Sequence, residues 1–221
     1  MELSPQIEDY LKGIYMLQTR DRQVSTTALA GRLGITAPSV TAMVHKLVEL
    51  DLLVHEPYRG VSLTPKGETL ALRIVRAHRL WEAYLVESLG LPWDEAHIEA
   101  ERLEHVLSDL LAERIDEALG FPTIDPHGHP IPSPTGHVQP VTGVALAELT
   151  VGDVGVVVQI RDETPELLRY LGEFGVYPGE AILVLDVAPF NGPMHLRVAG
   201  KTQVLGREVA NHVVVQPEVA R

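Results

Sequence analysis

The chain contains no cysteine, which excludes disulfides, thiolate-held zinc and cysteine nucleophiles. It also lacks any apolar run near the ~20 residues that a membrane span needs, and its N-terminus shows no leader pattern. A cytoplasmic protein with no membrane contact is therefore expected. Basic residues are scarce: 18 Lys and Arg stand against 30 Asp and Glu, a net charge of −12. The deficit is uneven. Residues 1–75 carry eight basic and eight acidic side chains, residues 76–125 four against twelve, and residues 126–221 six against ten. An acidic middle attracts cations and repels DNA, so any DNA contact belongs to the neutral first third. The 221 residues, 45% of them hydrophobic, suffice for one large domain or two small ones with buried cores.

The most informative stretch is His97-Ile98-Glu99-Ala100-Glu101-Arg102-Leu103-Glu104-His105. At about 100° per residue, positions 97, 101, 104 and 105 of a continuous helix share one side. Two imidazoles and two carboxylates then converge, a nitrogen-and-oxygen donor set suited to a divalent first-row metal. A solvated acidic face is the plainer reading of the same residues, with Glu99 an ordinary surface acid.

Ser4-Pro5 signals a capped helix start, and Ile7, Leu11, Ile14 and Leu17 recur at helical spacing. Ser25 or Thr26 caps a second helix that ends at Gly34, and Thr36 caps a third that contains Pro38 in its first turn. Helix, tight turn, helix is the helix-turn-helix unit, whose second helix can enter a major groove. Its exposed start offers Thr36, Ala37, Pro38, Ser39 and Thr41 to base edges, with Lys46 further along near phosphates. No Arg, Gln or Asn stands in those first turns, so specificity would lean on methyl contacts, water and DNA shape. Two short strands around Pro57-Tyr58-Arg59-Gly60 form a wing, and Arg59 at its tip could reach the minor groove.

Thr64-Pro65 opens a helix expected to run to Leu89, on which His78 and Glu82 lie one turn apart. A helix of that length joining two regions is a candidate dimer contact. Pro92-Trp93-Asp94 starts the next helix, and Ser108-Asp109 caps another that ends at Leu119-Gly120. Residues 121–142 are rich in proline, glycine, serine and threonine and predict an extended linker. Its His127, His129 and His137 are expected to be structural, because a mobile segment is poorly preorganised for a metal. Residues 143–218 hold about five short strands separated by glycine-containing turns, interrupted by one helical turn near 164–171; a small β-barrel would close them.

The order of these parts resembles the diphtheria toxin repressor and manganese transport regulator family of metal-dependent transcriptional repressors. The resemblance covers nearly the whole chain. It rests on Glu8-Asp9-Tyr10-Leu11-Lys12-Gly13-Ile14-Tyr15, Pro38-Ser39-Val40-Thr41, Leu63-Thr64-Pro65-Lys66-Gly67, Ala77-His78-Arg79-Leu80, Glu101–Ser108 and Pro126-His127-Gly128-His129-Pro130-Ile131-Pro132. The segment from Leu171-Gly172 to Gly175-Val176-Tyr177-Pro178-Gly179-Glu180 is similar to the SH3-like domain of the longer members.

The resemblance implies a multidomain, mainly α fold with a small all-β domain. Residues 1–73 would form a winged helix-turn-helix, 74–122 a helical metal-binding and dimerisation domain, 123–142 a linker and 143–221 an SH3-like (FeoA-type) β-barrel. It implies a primary metal site of Asp9, Glu101, Glu104 and His105, and an ancillary site of His78, Glu82 and His97, with Glu163 and Glu166 added from the barrel. Carboxylates at 9 and 101 match manganese-responsive members, where iron-responsive ones place a methionine and a cysteine. Lys12, however, stands where short manganese-type members carry a glutamate, so their paired-metal arrangement is not expected intact. Three carboxylates and one imidazole form a hard site that favours Mn²⁺ and accepts Fe²⁺, with other divalent transition metals binding in vitro. The expected partners are a palindromic double-stranded operator and a second copy of the chain, with no organic substrate. Two rival readings are a metallohydrolase, which would need an open coordination position and a cleft, and a winged-helix regulator that senses a non-metal ligand.

Overall fold

The computed structural model describes residues 3–19, 23–56 and 59–218. They form a mixed α/β chain that divides into two compact units, one of Met1–His78, Glu104–Leu107 and Pro132–His137, the other of Arg79–Leu103, Ser108–Ile131 and Val138–Arg221. Among the described residues no helix is long and apolar enough to cross a membrane.

The first unit begins with helices α1 (Pro5–Gln18), α2 (Thr26–Leu33) and α3 (Ala37–Glu49). Proline at the start of α1 presets the helical φ, but Ser4 contributes only its extended backbone, because its side chain makes no cap bond. The hydroxyl of Ser25 does cap α2, accepting from Ala28 N–H, and Gly34 ends that helix at φ 65°, where a side chain would be strained. Thr36 differs from expectation: its hydroxyl pairs with Ser39 Oγ at 2.9 Å instead of capping α3. Strands β1 (Leu53–Glu56) and β2 (Gly60–Leu63) pair antiparallel, Leu53 opposite Leu63, and form the wing. Pro57 and Tyr58 of its turn lie outside the described residues. Ile7, Leu11 and Ile14 of α1 are buried with Leu29, Val40, Val44, Leu47 and Val61 in one core. Every apolar stripe of the trihelical unit is thus buried on its partners, the main source of stability for helices this short.

Helix α4 (Pro65–Glu87) follows, with Thr64 Oγ1 accepting from Gly67 N–H at its start. It stops two residues short of the expected Leu89, with Gly90 at φ 69° after it. Helix α5 (Trp93–Leu103) also ends early: Glu104–Val106 form a single 3₁₀ turn before α6 (Asp109–Ala118), which Ser108 caps by accepting from Leu111 N–H. The expected continuous helix through His105 is therefore broken.

The second unit holds a six-stranded antiparallel sheet in the order β3-β8-β4-β5-β6-β7. Its strands are β3 (Val144–Ala145), β4 (Val154–Ile160), β5 (Ala181–Val187), β6 (Met194–Val198), β7 (Lys201–Leu205) and β8 (Val213–Pro217). Bulges between Val157 and Gln159 and between Val184 and Asp186 bend the two central strands. Helix α7 (Pro165–Glu173) is nine residues, longer than the single turn expected, and α8 (Arg207–Ala210) precedes β8. Their core includes Ile160, Leu168, Leu171, Ile182, Met194, Leu196 and Val213, and Trp93 of α5 belongs to it.

The stretch read as an extended linker is not extended over residues 125–131. Asp125, His127, His129 and Ile131 are buried, and Ile160 N–H of β4 donates to His127 O. Gly128, at φ 86°, sits so close to Val158 O that a Cβ there would collide with it.

Candidate metal centres

In the first unit, α1 carries Glu8, Asp9 and Lys12, and the 3₁₀ turn carries Glu104 and His105. One ligand atom each of Asp9, Glu104 and His105 lie within 4.8 Å of one another. His105 Nε2 is 3.1 Å from Asp9 Oδ1 and 3.8 Å from Glu104 Oε1. Its other nitrogen, Nδ1, lies 2.7 Å from Glu8 Oε2. With Nδ1–H donated to Glu8, the Nε2 lone pair faces the two carboxylates, the arrangement that orients a ligating imidazole. Glu104 is fully buried, with Oε2 2.5 Å from His78 Nδ1 and both oxygens bonded by Lys12 Nζ, at 2.8 and 2.6 Å.

In the second unit, Glu82 of α4, Asp125 and His127 of the buried segment, and Glu163 before α7 form a four-residue cluster, again with one ligand atom each within 4.8 Å of the others. Glu82 Oε1 lies 2.8 Å from His97 Nδ1 and 3.3 Å from His127 Nδ1. Glu163 Oε1 lies 3.9 Å from His127 Nδ1 and 2.8 Å from His129 Nδ1. Asp125 Oδ1 accepts from the N–H groups of His127 and His129, at 2.8 and 2.9 Å. His127 Nε2 lies 3.2 Å from the Trp93 carbonyl, and its ring stacks on Trp93 with centroids 5.4 Å apart. Donation from Nε2 leaves the Nδ1 lone pair aimed at Glu82 and Glu163. His127 Nδ1 and Asp125 Oδ2 are buried and make no hydrogen bond. Buried polar atoms rarely go unsatisfied; His127 Nδ1 sits between two carboxylates, which fits a hard divalent cation, while Asp125 Oδ2 has Arg79 Nε at 3.5 Å and His129 Nδ1 at 3.7 Å.

The electrostatics agree with a cation position. Burial opposes the charge on His127, yet Glu82 foremost, with Asp125 and Glu163, pushes its pKa up to about 9. Burial likewise opposes charge on His129, but Glu163 and Asp125 raise its pKa. Burial raises the Asp125 carboxyl against the pull of His129, His127 and Arg79. Glu163 is lowered despite its burial, chiefly by His129. Arg79 Nε, 3.5 Å from Asp125 Oδ2, supplies one positive charge to the cluster, and the raised imidazoles supply more.

Several sequence expectations are redistributed. Asp9, Glu104 and His105 converge as expected, whereas Glu101, on α5 in the second unit, is exposed. Of the ancillary set, Glu82 pairs with His97, but His78 contacts Glu104. Glu163 faces the cluster; Glu166 is exposed in the first turn of α7 and joins none of the described clusters. Asp125 was not singled out by sequence, and His127 was expected to be structural because proline content argued for a mobile segment; the structure places both in this cluster, and the His-Gly-His spacing is the signal that the sequence carries. Glu8, adjacent to Asp9, was missed as well. Thr36, Ala37, Pro38, Ser39, Thr41, Lys46 and Arg59 are all exposed, although Thr41 Oγ1 donates back to Ala37 O and Arg59 lies 3.4 Å from Glu56.

Three family descriptions match the chain. "Iron dependent repressor, N-terminal DNA binding domain" covers residues 2–61, "Iron dependent repressor, metal binding and dimerisation domain" residues 64–133, and "FeoA domain" residues 144–217. The iron-dependent repressor IdeR of Mycobacterium tuberculosis is 34% identical over 97% of this chain and 98% of its own. The diphtheria toxin repressor of Corynebacterium glutamicum is 36% identical over 66% of each chain. A manganese-dependent transcriptional repressor solved in complex with manganese superposes with a TM-score of 0.86 at 40% identity, covering 95% of this chain and 98% of the other.

Proposed function

Because the chain belongs to the diphtheria toxin repressor family, metal-dependent DNA-binding transcriptional regulators and not enzymes, we propose that it is a Mn²⁺-responsive repressor of metal-uptake genes. The observation that carries this reading is the convergence of Asp9, Glu104 and His105, with His105 held by Glu8 so that Nε2 faces both acids. The donor set is hard, without sulfur, which suits Mn²⁺. A solved relative of high similarity is manganese-dependent.

Asp9 is carried by the first helix of the trihelical unit, Glu104 and His105 by the turn after α5. A bound divalent cation supplies positive charge that offsets the mutual repulsion of the acids. Asp9 then holds α1 to the 104–106 turn and restricts how the unit presents α3 to DNA. The exposed start of α3, Thr36 to Thr41 with Lys46, faces the major groove in this reading, and Arg59 extends the contact from the wing. Glu82, Asp125, His127 and Glu163 hold a second ion that ties the 125–131 segment to the FeoA-type domain, which we read as an SH3-like barrel bent at its two bulges. This set shares Glu82 and Glu163 with the ancillary site expected from sequence. The domain limits expected from sequence, 1–73, 74–122, 123–142 and 143–221, are kept as functional divisions.

Operator-DNA binding titrated with Mn²⁺, Fe²⁺, Co²⁺ and Zn²⁺ tests this function. Mn²⁺ should stimulate binding most at concentrations where the others are weak, and Asp9→Ala should abolish that stimulation while leaving a folded protein. Stimulation by Fe²⁺ alone would make the chain an iron sensor like its mycobacterial relative, and undiminished stimulation in Asp9→Ala would remove Asp9 from the mechanism.

A further inference from the structure

Lys12 lies one turn after Asp9 on α1 and reaches the same buried carboxylate that the metal reading requires. Its Nζ is 2.8 Å from Glu104 Oε1, 2.6 Å from Oε2 and 3.4 Å from His78 Nδ1. The Lys12 side chain is 11% exposed and that of Glu104 not at all. One ammonium therefore occupies both oxygens of Glu104, in a setting where water screens the pair little.

We propose that Lys12 is a tethered counter-cation that competes for Glu104 and sets the concentration at which the Asp9–Glu104–His105 site fills. The proposal rests on the metal reading of that site. An incoming divalent ion must share or displace the Lys12 bond on at least one Glu104 oxygen, and the ammonium repels it at short range. The same ammonium neutralises Glu104 before metal arrives, so the metal-free chain keeps a buried carboxylate paired and α1 joined to the 104–106 turn. A sensor benefits from both effects: the empty site stays intact, and filling it requires a higher free-metal level than the bare donors would. Glu at the same position would add a ligand; Lys removes the room and the charge for a second ion there.

The test is Mn²⁺ binding to the full chain, followed by calorimetry and by the paramagnetic signal of free Mn²⁺ at one fixed pH. The variants are Lys12→Met, Lys12→Gln, Lys12→Arg and Asp9→Ala. Lys12→Met should bind roughly ten- to hundredfold tighter at the site that Asp9→Ala eliminates, since a unit charge close to the ion has gone. Its metal-free melting temperature should fall, because buried Glu104 loses the ammonium that bonds both its oxygens and keeps only the bond to His78. Lys12→Gln, which still donates one hydrogen bond, covers the case in which Lys12→Met does not fold and should also bind more tightly. Lys12→Arg, with the charge retained, should stay within about threefold of the parent. Unchanged or weaker binding in the neutral variants, with Asp9→Ala still removing one class of site, would overturn the Lys12 proposal alone. So would equal tightening in Lys12→Arg. An isotherm unaffected by Asp9→Ala would instead overturn the metal site itself.

Discussion

An imidazole ligates well through one nitrogen when the other is held, and at His105 the holder is Glu8, 2.7 Å from Nδ1. Glu8 needs no contact with a metal to matter: its carboxylate sets the tautomer and the ring orientation. Removing it should leave the ring free to rotate away from Asp9 and Glu104, at little cost to a fold whose core takes Ile7, Leu11 and Ile14 from α1 and not Glu8. Glu8→Ala is therefore expected to weaken Mn²⁺ binding about ten- to hundredfold with a nearly unchanged melting temperature, measured by calorimetry on the metal-free and titrated protein. Equal affinity in this variant would make Glu8 a bystander. Its neighbour Asp9 carried a readable signal, because the family pattern marks that position. Glu8 did not, since an acid in the first turn of a helix is ordinary on dipole grounds alone.

At the scale of elements, periodicity foresaw most helices and misjudged two joins. His97, Glu101, Glu104 and His105 share a side only if one helix runs through all four. Ser108 caps α6 with ψ 153°, however, so the chain must leave helical geometry before it. The 3₁₀ turn at 104–106 makes that exit and turns Glu104 and His105 away from the α5 register. The cap at Ser108 is legible in the sequence, and a cap there requires the helix before it to end. The 125–131 segment failed for a different reason. Proline and glycine content describes a chain with few bonds of its own, and says nothing of an external surface that supplies them. Here β4 accepts the close approach at Gly128 and donates to His127 O. Docking buries His127 among Glu82, Asp125 and Glu163, with His129 on the same segment and the His97 ring 6.0 Å away. A folded-state pKa of about 9, above the model-peptide 6.5, stabilises the metal-free fold fully below pH 6.5. That contribution is lost as pH rises through about 9. The metal-free chain should melt at progressively lower temperature over this interval, by at most about 3 kcal/mol of stability at the alkaline end. His127→Gln should flatten the slope. An alkaline limb of equal steepness in that variant would assign the slope elsewhere.

At the scale of the whole molecule, a palindromic operator presents two half-sites, and one winged unit can read only one of them. The second unit exposes large apolar side chains on and around α6: Leu110 is 65% exposed, Phe121 66% and Leu111 42%. One such residue is unremarkable on a surface, but two in the first turn of an amphipathic helix and a third just past its end together point to a face that a partner covers. The family match over residues 64–133 names dimerisation, so a second copy is the proposed occupant, with the same face used by both chains. A charge at the centre of that face would be buried twice in each dimer and unpaired. Leu110→Glu should accordingly sediment as one chain where the parent sediments as two, retain its Mn²⁺ binding at the Asp9–Glu104–His105 site, and lose at least about tenfold in affinity for a two-half-site operator. Its affinity for a single half-site should be unchanged. A Leu110→Glu protein that still sediments as a dimer would move the interface off α6, and a monomer that binds the full operator normally would separate dimerisation from operator recognition.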